Sequence, residues 1–382
     1  MFPIVPGIVF SNGEEWSELR KLTVTAMKDF GVGRKSIEKI ILEEVQFLEE
    51  LIANRSDENP IDVSLEFSKA TSNVISSIIF GSRFNYDDPQ FKYFVEFINL
   101  FFNSVSPFVP ETIFQILGKF GYKSKIDEIV EIRKELQNYV RSRIDQQRST
   151  FDPKSIRNFL DLYIQQENKQ DSKISEEHLF MTILDLYIAG TDTTAAALQW
   201  CMLFMLKYPD VQTKCRNEIL EVTADRLPEV KDKEKLPYVM ATICEVQRIA
   251  TIVPNGTPHC CNEEIHIDGK TIPKGATIIC SLQSVHCDPD MWDQPEVFRP
   301  ERFLGNDGKL VKHDAFSPFS MGPRICPGKQ LAEAELILFF TSCLKKFDLV
   351  KAEENGNLCT DGVHTGVTQK PHPFKMRFIP RR

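Results

Sequence analysis

The residues of this chain best suited to chemistry gather around one cysteine. PFSMGPRICPG, residues 318 to 328, sets Cys326 in a frame of glycine, proline and arginine, shortly before a helical sequence, LAEAELILFFTSCLKKF. Free N–H groups and the dipole at a helix N-terminus stabilise a thiolate. Gly322 and Gly328 permit tight turns and close approach of backbone to a ligand. Arg324, two residues before the cysteine, is placed to meet an anion on that ligand. A glycine-rich turn around an incidental core cysteine would have the same composition, so other positions must decide. In ICEVQR, Glu245 and Arg248 lie three apart and share a helix face. As an exposed pair they would contribute roughly a few tenths of a kcal/mol. AGTDTT, residues 189 to 194, crowds glycine, aspartate and threonine into an apolar helix, where all are poor formers. A kink whose hydroxyls bond back to the backbone is one reason for such a cluster. Trp16 and Arg20, four apart, aim two donors from one helix face, which suits a carboxylate or a plain amphipathic helix. His259, Cys260, Cys261 and His266 invite a zinc reading, but adjacent cysteines in a β-forming stretch suit tetrahedral zinc poorly.

The elements that must position these residues can be read around them. The first two-thirds of the chain has the apolar spacing of successive helices, over 36–53, 62–80, 89–103, 125–148, 155–167 and 210–222. A further helix opens near Glu15, after Asn12, Gly13 and Glu14, and carries Trp16 and Arg20. The longest helix is expected from about Ser175 to about Lys207, roughly 45 Å at the usual rise, with Pro209 as its stop. It carries AGTDTT and is long enough to cross a whole core. After Arg248 the pattern shifts to short β-prone pieces, IHID, TIP and ATIICSL, punctuated by proline and glycine. An irregular stretch, DPDMWDQPEVFRPERFLGNDGK, leads to the cysteine loop and the last helix, and FKMRFIP alternates like a strand. No repeat or low-complexity linker interrupts the chain, so residues 1–382 are read as one domain.

Composition narrows the function classes. The chain is 42% apolar and 26% charged, with a formal net charge of −8, which argues against nucleic acid as a partner. The ten cysteines all lie at Cys201 or later, irregularly spaced and without a C-x-x-C pair. That speaks for a reducing compartment rather than a disulfide framework or zinc ribbon. MFPIVPGIVF lacks a basic start, and two prolines interrupt its apolar run, so it does not read as a signal peptide. Residues 183–206 are long enough to span a bilayer, yet Asp185, Asp192 and the threonines point to a buried core helix.

Spacing around the cysteine brings these fragments together. F-x-x-G-x-R-x-C-x-G, filled by Phe319, Gly322, Arg324, Cys326 and Gly328, closely resembles the haem-binding loop of the cytochrome P-450 family, the haem-thiolate monooxygenases. The resemblance runs from GIVFSNGEEW to RFIPRR and is closest to the microsomal branch that oxidises xenobiotics and steroids. It implies a mainly α fold with small β-sheets, and haem b with Cys326 as axial ligand. It assigns Trp16, Arg20, His259 and Arg324 to the haem propionates. A-G-x-[DE]-T, matched by Ala189, Gly190, Asp192 and Thr193, implies a groove over the haem. There Gly190 would make room for dioxygen, and Asp192 with Thr193 would deliver protons. Glu245 and Arg248 would lock to Arg302, in FRPERF with Pro300, Glu301 and Phe303, and so hold the haem loop. Full-length members begin about a hundred residues earlier, with an anchor, a hinge, early helices and two strands whose loss would bare a sheet edge. The chain is therefore expected to be truncated at its N-terminus.

The activity implied is insertion of one oxygen atom from O₂ into an apolar small molecule. No nucleotide or flavin fingerprint is present, so electrons are expected from NADPH through a separate cytochrome P-450 reductase, with cytochrome b5 as a second donor. Lys21, Lys28, Arg34, Lys35 and Lys329 would flank the face that meets such a partner. Val253, Pro254 and Asn255 would line the substrate pocket; the phenylalanine-rich stretch 91–102 suits an apolar ligand, although aromatic helices are more often plain core. The resemblance places the full-length protein on the cytoplasmic face of the endoplasmic reticulum membrane. Two other classes stay open: a haem-thiolate isomerase or dehydratase, and a non-catalytic binder of haem or lipid.

Overall fold

The computed structural model describes residues 7–31, 35–55, 59–104, 125–169 and 172–381. Its framework is helical. Helix α1 (Gly13–Ala26) runs into a π-helical turn, Met27–Gly31, and is followed by α2 (Lys35–Arg55), α3 (Ser64–Phe80), α4 (Pro89–Ser104), α5 (Lys125–Ser149) and α6 (Phe159–Glu167). Helix α7 spans Glu176–Lys207, the 32 residues expected to cross the core. Ser175 opens it with a capping box: the Ser175 hydroxyl accepts from His178 N at 3.3 Å, and His178 Nδ1 accepts from Ser175 N at 3.2 Å. Pro209 ends it and starts α8 (Pro209–Thr223). Helices α9 (Pro237–Ala250), α10 (Leu282–His286) and α11 (Lys329–Lys346) complete the set.

Helices α3 and α7 form the centre of the bundle. Gly190 lets them touch: a Cβ there would lie 2.5 Å from Ile75 Cδ1 and 2.7 Å from Cγ1. Polar groups buried between the two helices find partners across the gap. Thr71 Oγ1 donates to the Thr191 carbonyl at 3.1 Å, and the hydroxyls of Ser76 and Tyr187 lie 2.6 Å apart. The principal apolar core runs from Leu19 to Phe378, and no described helix is long and apolar enough to cross a membrane. A satellite core of Ala241, Trp292, Phe303 and Ala315 lies on the far side of α9.

Among the described residues the strands pair in four antiparallel ribbons. β1 (His259–Cys260) pairs with β4 (Thr277–Ile278), and β2 (Ile265–Ile267) with β3 (Lys270–Ile272). β5 (Phe347–Lys351) pairs with β8 (Met376–Pro380), and β6 (Gly362–Thr365) with β7 (Thr368–Pro371). The last ribbon lies on α7, where Trp200 Nε1 donates to the Gln369 carbonyl at 3.0 Å.

Two local expectations are corrected. The helix read from 155 begins only at Phe159, because Asn158 turns outward and its side chain caps the Asp161 N–H at 3.1 Å. ATIICSL is not one strand. Only Thr277 and Ile278 pair, and Ser281 then caps the short helix α10 through the Ser284 N–H at 3.2 Å.

Candidate active site

The loop around Cys326 contains two residues in the left-handed region, Ser320 and Gly322. Ser320 N donates to the Ser317 carbonyl at 3.0 Å, closing a β-turn with Pro318 second and Phe319 third. Ser320 leaves it at φ +62, and Gly322 follows at φ +75, a conformation that glycine takes without cost. The Cys326 N–H returns to the Phe319 carbonyl at 3.0 Å. Cys326 itself is half-buried just before the N-terminus of α11. Gly328 has an ordinary φ of −87, and a Cβ there would sit 3.9 Å from the Cys326 sulfur. Its missing side chain keeps space open beside that sulfur.

The helix N-terminus does not make a thiolate unaided. Burial pushes the Cys326 thiol up, and the N–H groups of Gly328 and Lys329, with the charges of Arg20 and Lys329, only partly oppose it. A metal cation bound to the sulfur would remove the proton outright.

Three of the four anticipated carboxylate donors meet beside this loop. Trp16 and Arg20 come from α1, and Arg324 from the loop, with its guanidinium 4.1 Å from the Trp16 ring centroid and that of Arg20 at 5.6 Å. Arg20 Nη2 donates to the Ile325 carbonyl at 2.7 Å, while Arg324 Nη2 donates to the Ser11 carbonyl at 2.8 Å. Neither guanidinium has a carboxylate partner among the described residues. Burial and then the charge of Arg20 push the pKa of Arg324 down. Two cations sharing one indole form a site that an anion would relieve, which fits the carboxylates of a haem. His259 lies apart on β1, opposite Ile278, and no hydrogen bond of the cluster reaches it.

On α7, Ala189 is exposed and Ile188, Gly190 and Thr193 are half-buried, although the helix around them is buried. This stretch of the helix surface is left uncovered at mid-helix. At Gly190 the absent side chain accommodates Ile75 of α3. Asp192 points to β7, where its carboxylate accepts from Thr368 Oγ1 at 2.7 Å and pairs with Lys370. Thr193 Oγ1 donates to the Ala189 carbonyl at 2.5 Å. The acid and the alcohol are neighbours in sequence but are not hydrogen-bonded to each other.

Glu245, Arg248 and Arg302 form a sealed cluster. Arg248 Nε and Nη2 grip the Glu245 carboxylate at 2.8 and 2.9 Å, and Arg302 Nε reaches Glu245 Oε1 at 2.9 Å. Further donors of the two arginines fix the carbonyls of His286, Asp293, Gln294, Pro295 and Val297. Glu301 takes no part and pairs with Lys214 and Tyr238 instead. None of the triad's hydrogen bonds enters 318–328. A histidine that spacing did not single out, His286, stands between, fully buried and bonded to both Thr251 and Ser317. No linear pattern flags it, since its partners are scattered along the chain.

The remaining expected positions fall as follows. Val253, Pro254 and Asn255 form the turn after α9, with Asn255 exposed. Phe91, Phe94 and Phe97 are core, Phe94 stacking on Tyr187 at 4.2 Å. Lys21 and Lys28 are exposed, and Lys329 lies 3.9 Å from Glu333. Arg34 and the side chain of Lys35 lie outside the described residues.

Comparison with known proteins bears on this arrangement. A family model described as Cytochrome P-450 matches residues 2–378. Cytochrome P-450 2U1 of Bos taurus is 37% identical over 383 residues, covering 97% of this chain and 69% of that protein. Cytochrome P-450 2U1 of Homo sapiens is also 37% identical, with the same coverage of 97% and 69%. Cytochrome P-450 2B4 of Oryctolagus cuniculus is 35% identical, covering 98% of this chain and 77% of that protein.

Proposed function

The chain belongs to the cytochrome P-450 family of monooxygenases, which carry haem b on a cysteine thiolate, and on that footing we propose that Cys326 is the thiolate and that the substrate is an apolar organic molecule. The convergence of Arg20 and Arg324 on Trp16 beside the Cys326 loop carries this reading. Two guanidinia beside the cysteine loop, neither with a carboxylate partner among the described residues, suit a ligand that joins a metal to a pair of carboxylates. Arg20, Arg324 and Trp16 bind those carboxylates and set the ligand's orientation, with His259 as a fourth donor. Cys326 Sγ is held in register by the N–H groups of Gly328 and Lys329. When bound, the haem supplies dioxygen activation and the oxidising power. Thr193 Oγ1, on the uncovered stretch of α7 beside Ala189, passes protons towards the ligand. Asp192 resupplies them by leaving Thr368 and Lys370, taking a proton from solvent water and handing it on to Thr193.

Electrons come from NADPH through a separate cytochrome P-450 reductase, with cytochrome b5 as a second donor, docking near Lys21, Lys28 and Lys329. The residues act as one domain, and the full-length protein works at the cytoplasmic face of the endoplasmic reticulum membrane. The test is the absorption spectrum of the reduced, carbon monoxide-bound protein. A thiolate-type Soret band that Cys326→Ala abolishes is expected; a histidine-type band, or no haem, overturns the assignment. Substrate-dependent NADPH use with added reductase then marks a monooxygenase, and its absence with a thiolate band marks an isomerase or a binder. Thr193→Ala is expected to uncouple NADPH use from product, and full coupling would refute the proton role.

A further inference from the structure

The triad of Glu245, Arg248 and Arg302 is sealed and rigid, yet nothing in it touches the loop that carries Cys326. His286 closes that gap. It sits fully buried at the end of α10, and its carbonyl accepts from Arg248 Nη1 at 2.7 Å. Its ring Nε2 lies 3.2 Å from Ser317 N, and Nδ1 lies 3.1 Å from Thr251 Oγ1. A backbone N–H can only donate, so Nε2 is the bare nitrogen and Nδ1 carries the proton. Nδ1–H then donates to Thr251 Oγ1, whose own hydrogen goes to the Arg248 carbonyl at 2.7 Å. Every donor in this chain has an acceptor and no two conflict.

Ser317 is the first residue of the turn that Ser320 closes, and Phe319 within that turn accepts the Cys326 N–H at 3.0 Å. Imidazole and cysteine therefore hold the same four-residue turn. Ser320 leaves that turn at φ +62, a conformation a serine keeps only when its surroundings impose it. We propose that His286 is a positioning residue: through its Nε2 the buried triad fixes the turn Ser317–Ser320, and with it the placement of the Cys326 sulfur. The proposal rests on Cys326 being the haem ligand. Burial and the positive charge of Arg248 hold the pKa of the ring down at about 4, so Nε2 stays an acceptor at neutral pH.

Three substitutions separate hydrogen bonding from shape. In His286→Gln the amide oxygen reaches where Nε2 sits. In His286→Asn the amide reaches only the Nδ1 position. His286→Phe keeps a ring against Phe316, whose centroid lies 5.9 Å away, and removes both bonds. Haem-loaded wild type and His286→Gln are expected to share a thiolate-type reduced carbon monoxide spectrum and a slow Ser317 amide in hydrogen–deuterium exchange. His286→Asn and His286→Phe are expected to shift part of that band towards the thiol or histidine type. They should also lose haem about tenfold faster or more, and the Ser317 amide should exchange at least about tenfold faster. Unchanged spectra and protection in Asn and Phe would overturn the proposal, as would a Gln variant as damaged as Phe. If His286→Phe does not accumulate folded, Thr251→Val removes the Nδ1 partner at nearly constant shape. It is expected to raise Ser317 exchange several-fold, and no change would count against the proposal. A wild type without a thiolate band would strike the assignment of Cys326 alone, because the exchange measurement still reports the grip on the turn.

Discussion

Asp185 shows how strongly a single buried group can tie stability to pH. It lies inside α7, and among the described residues its burial is offset by the Val9 N–H at 2.9 Å, so its pKa rises from 3.8 to about 7. Between those values the unfolded chain has released a proton that the folded chain still holds. Its contribution is therefore most favourable below 3.8, declines as pH rises to about 7, and is level above. Asp185→Asn should remove that decline and stabilise the protein by roughly 4 kcal/mol at about pH 8. Urea unfolding of both proteins between about pH 5 and about pH 8 checks it, and parallel curves would exclude the effect. Gly190 gives a second residue-scale expectation. Overpacking against Ile75 costs about 1–3 kcal/mol, and alanine's helix propensity returns about 1. Gly190→Ala should thus lose up to roughly 2 kcal/mol, and the loss should vanish in an Ile75→Ala background, as a double-mutant cycle would report. AGTDTT showed that something unusual happens on this helix. It could not show that the glycine faces a neighbouring helix, because Ile75 lies in a distant part of the chain.

Between elements, the sealed ion pairs tie α9 to the segment that follows α10. Glu245 and Arg248 have fully buried side chains and Arg302 is nearly so, leaving no water to replace a missing partner. Glu245→Gln should cost about 3–5 kcal/mol in chemical denaturation, and a loss below about 1 kcal/mol would mean the cluster is better solvated than its burial indicates. The pairing of E-x-x-R with PERF was legible only through the family resemblance, since spacing alone places Glu245 and Arg248 on one helix face and says nothing of Arg302. The helices were legible from spacing, since their apolar period is local and their caps, such as Ser175, are chemically distinctive. The ribbons were not. Two-residue strands like Thr277–Ile278 have no period to read, and their pairing is decided by partners elsewhere. The same limit hid the hold of β7 on Asp192, which depends on Thr368 and Lys370 arriving from the end of the chain. His286 escaped notice for that reason too.

At the scale of the whole molecule, charge is unevenly spread. The chain carries a net charge of −8, yet Lys21 and Lys28 stand exposed along and just beyond α1, the helix whose Arg20 touches the cysteine loop. A reductase docking there should deliver its first electron more slowly as salt rises, and Lys21→Glu with Lys28→Glu should slow it further by about tenfold. Stopped-flow reduction measures both, and a rate indifferent to salt and charge would move the docking face elsewhere. The contact between Arg20 and Ile325 also sets a timetable. Its two ends lie 305 residues apart. At about 5–20 residues per second a ribosome needs on the order of 15–60 s to make the second after the first. Throughout that interval the indole and its first guanidinium exist without the loop that completes their site. Capture of a prosthetic group must therefore come late in the life of the nascent chain, after α1 has waited for a partner made 305 residues later.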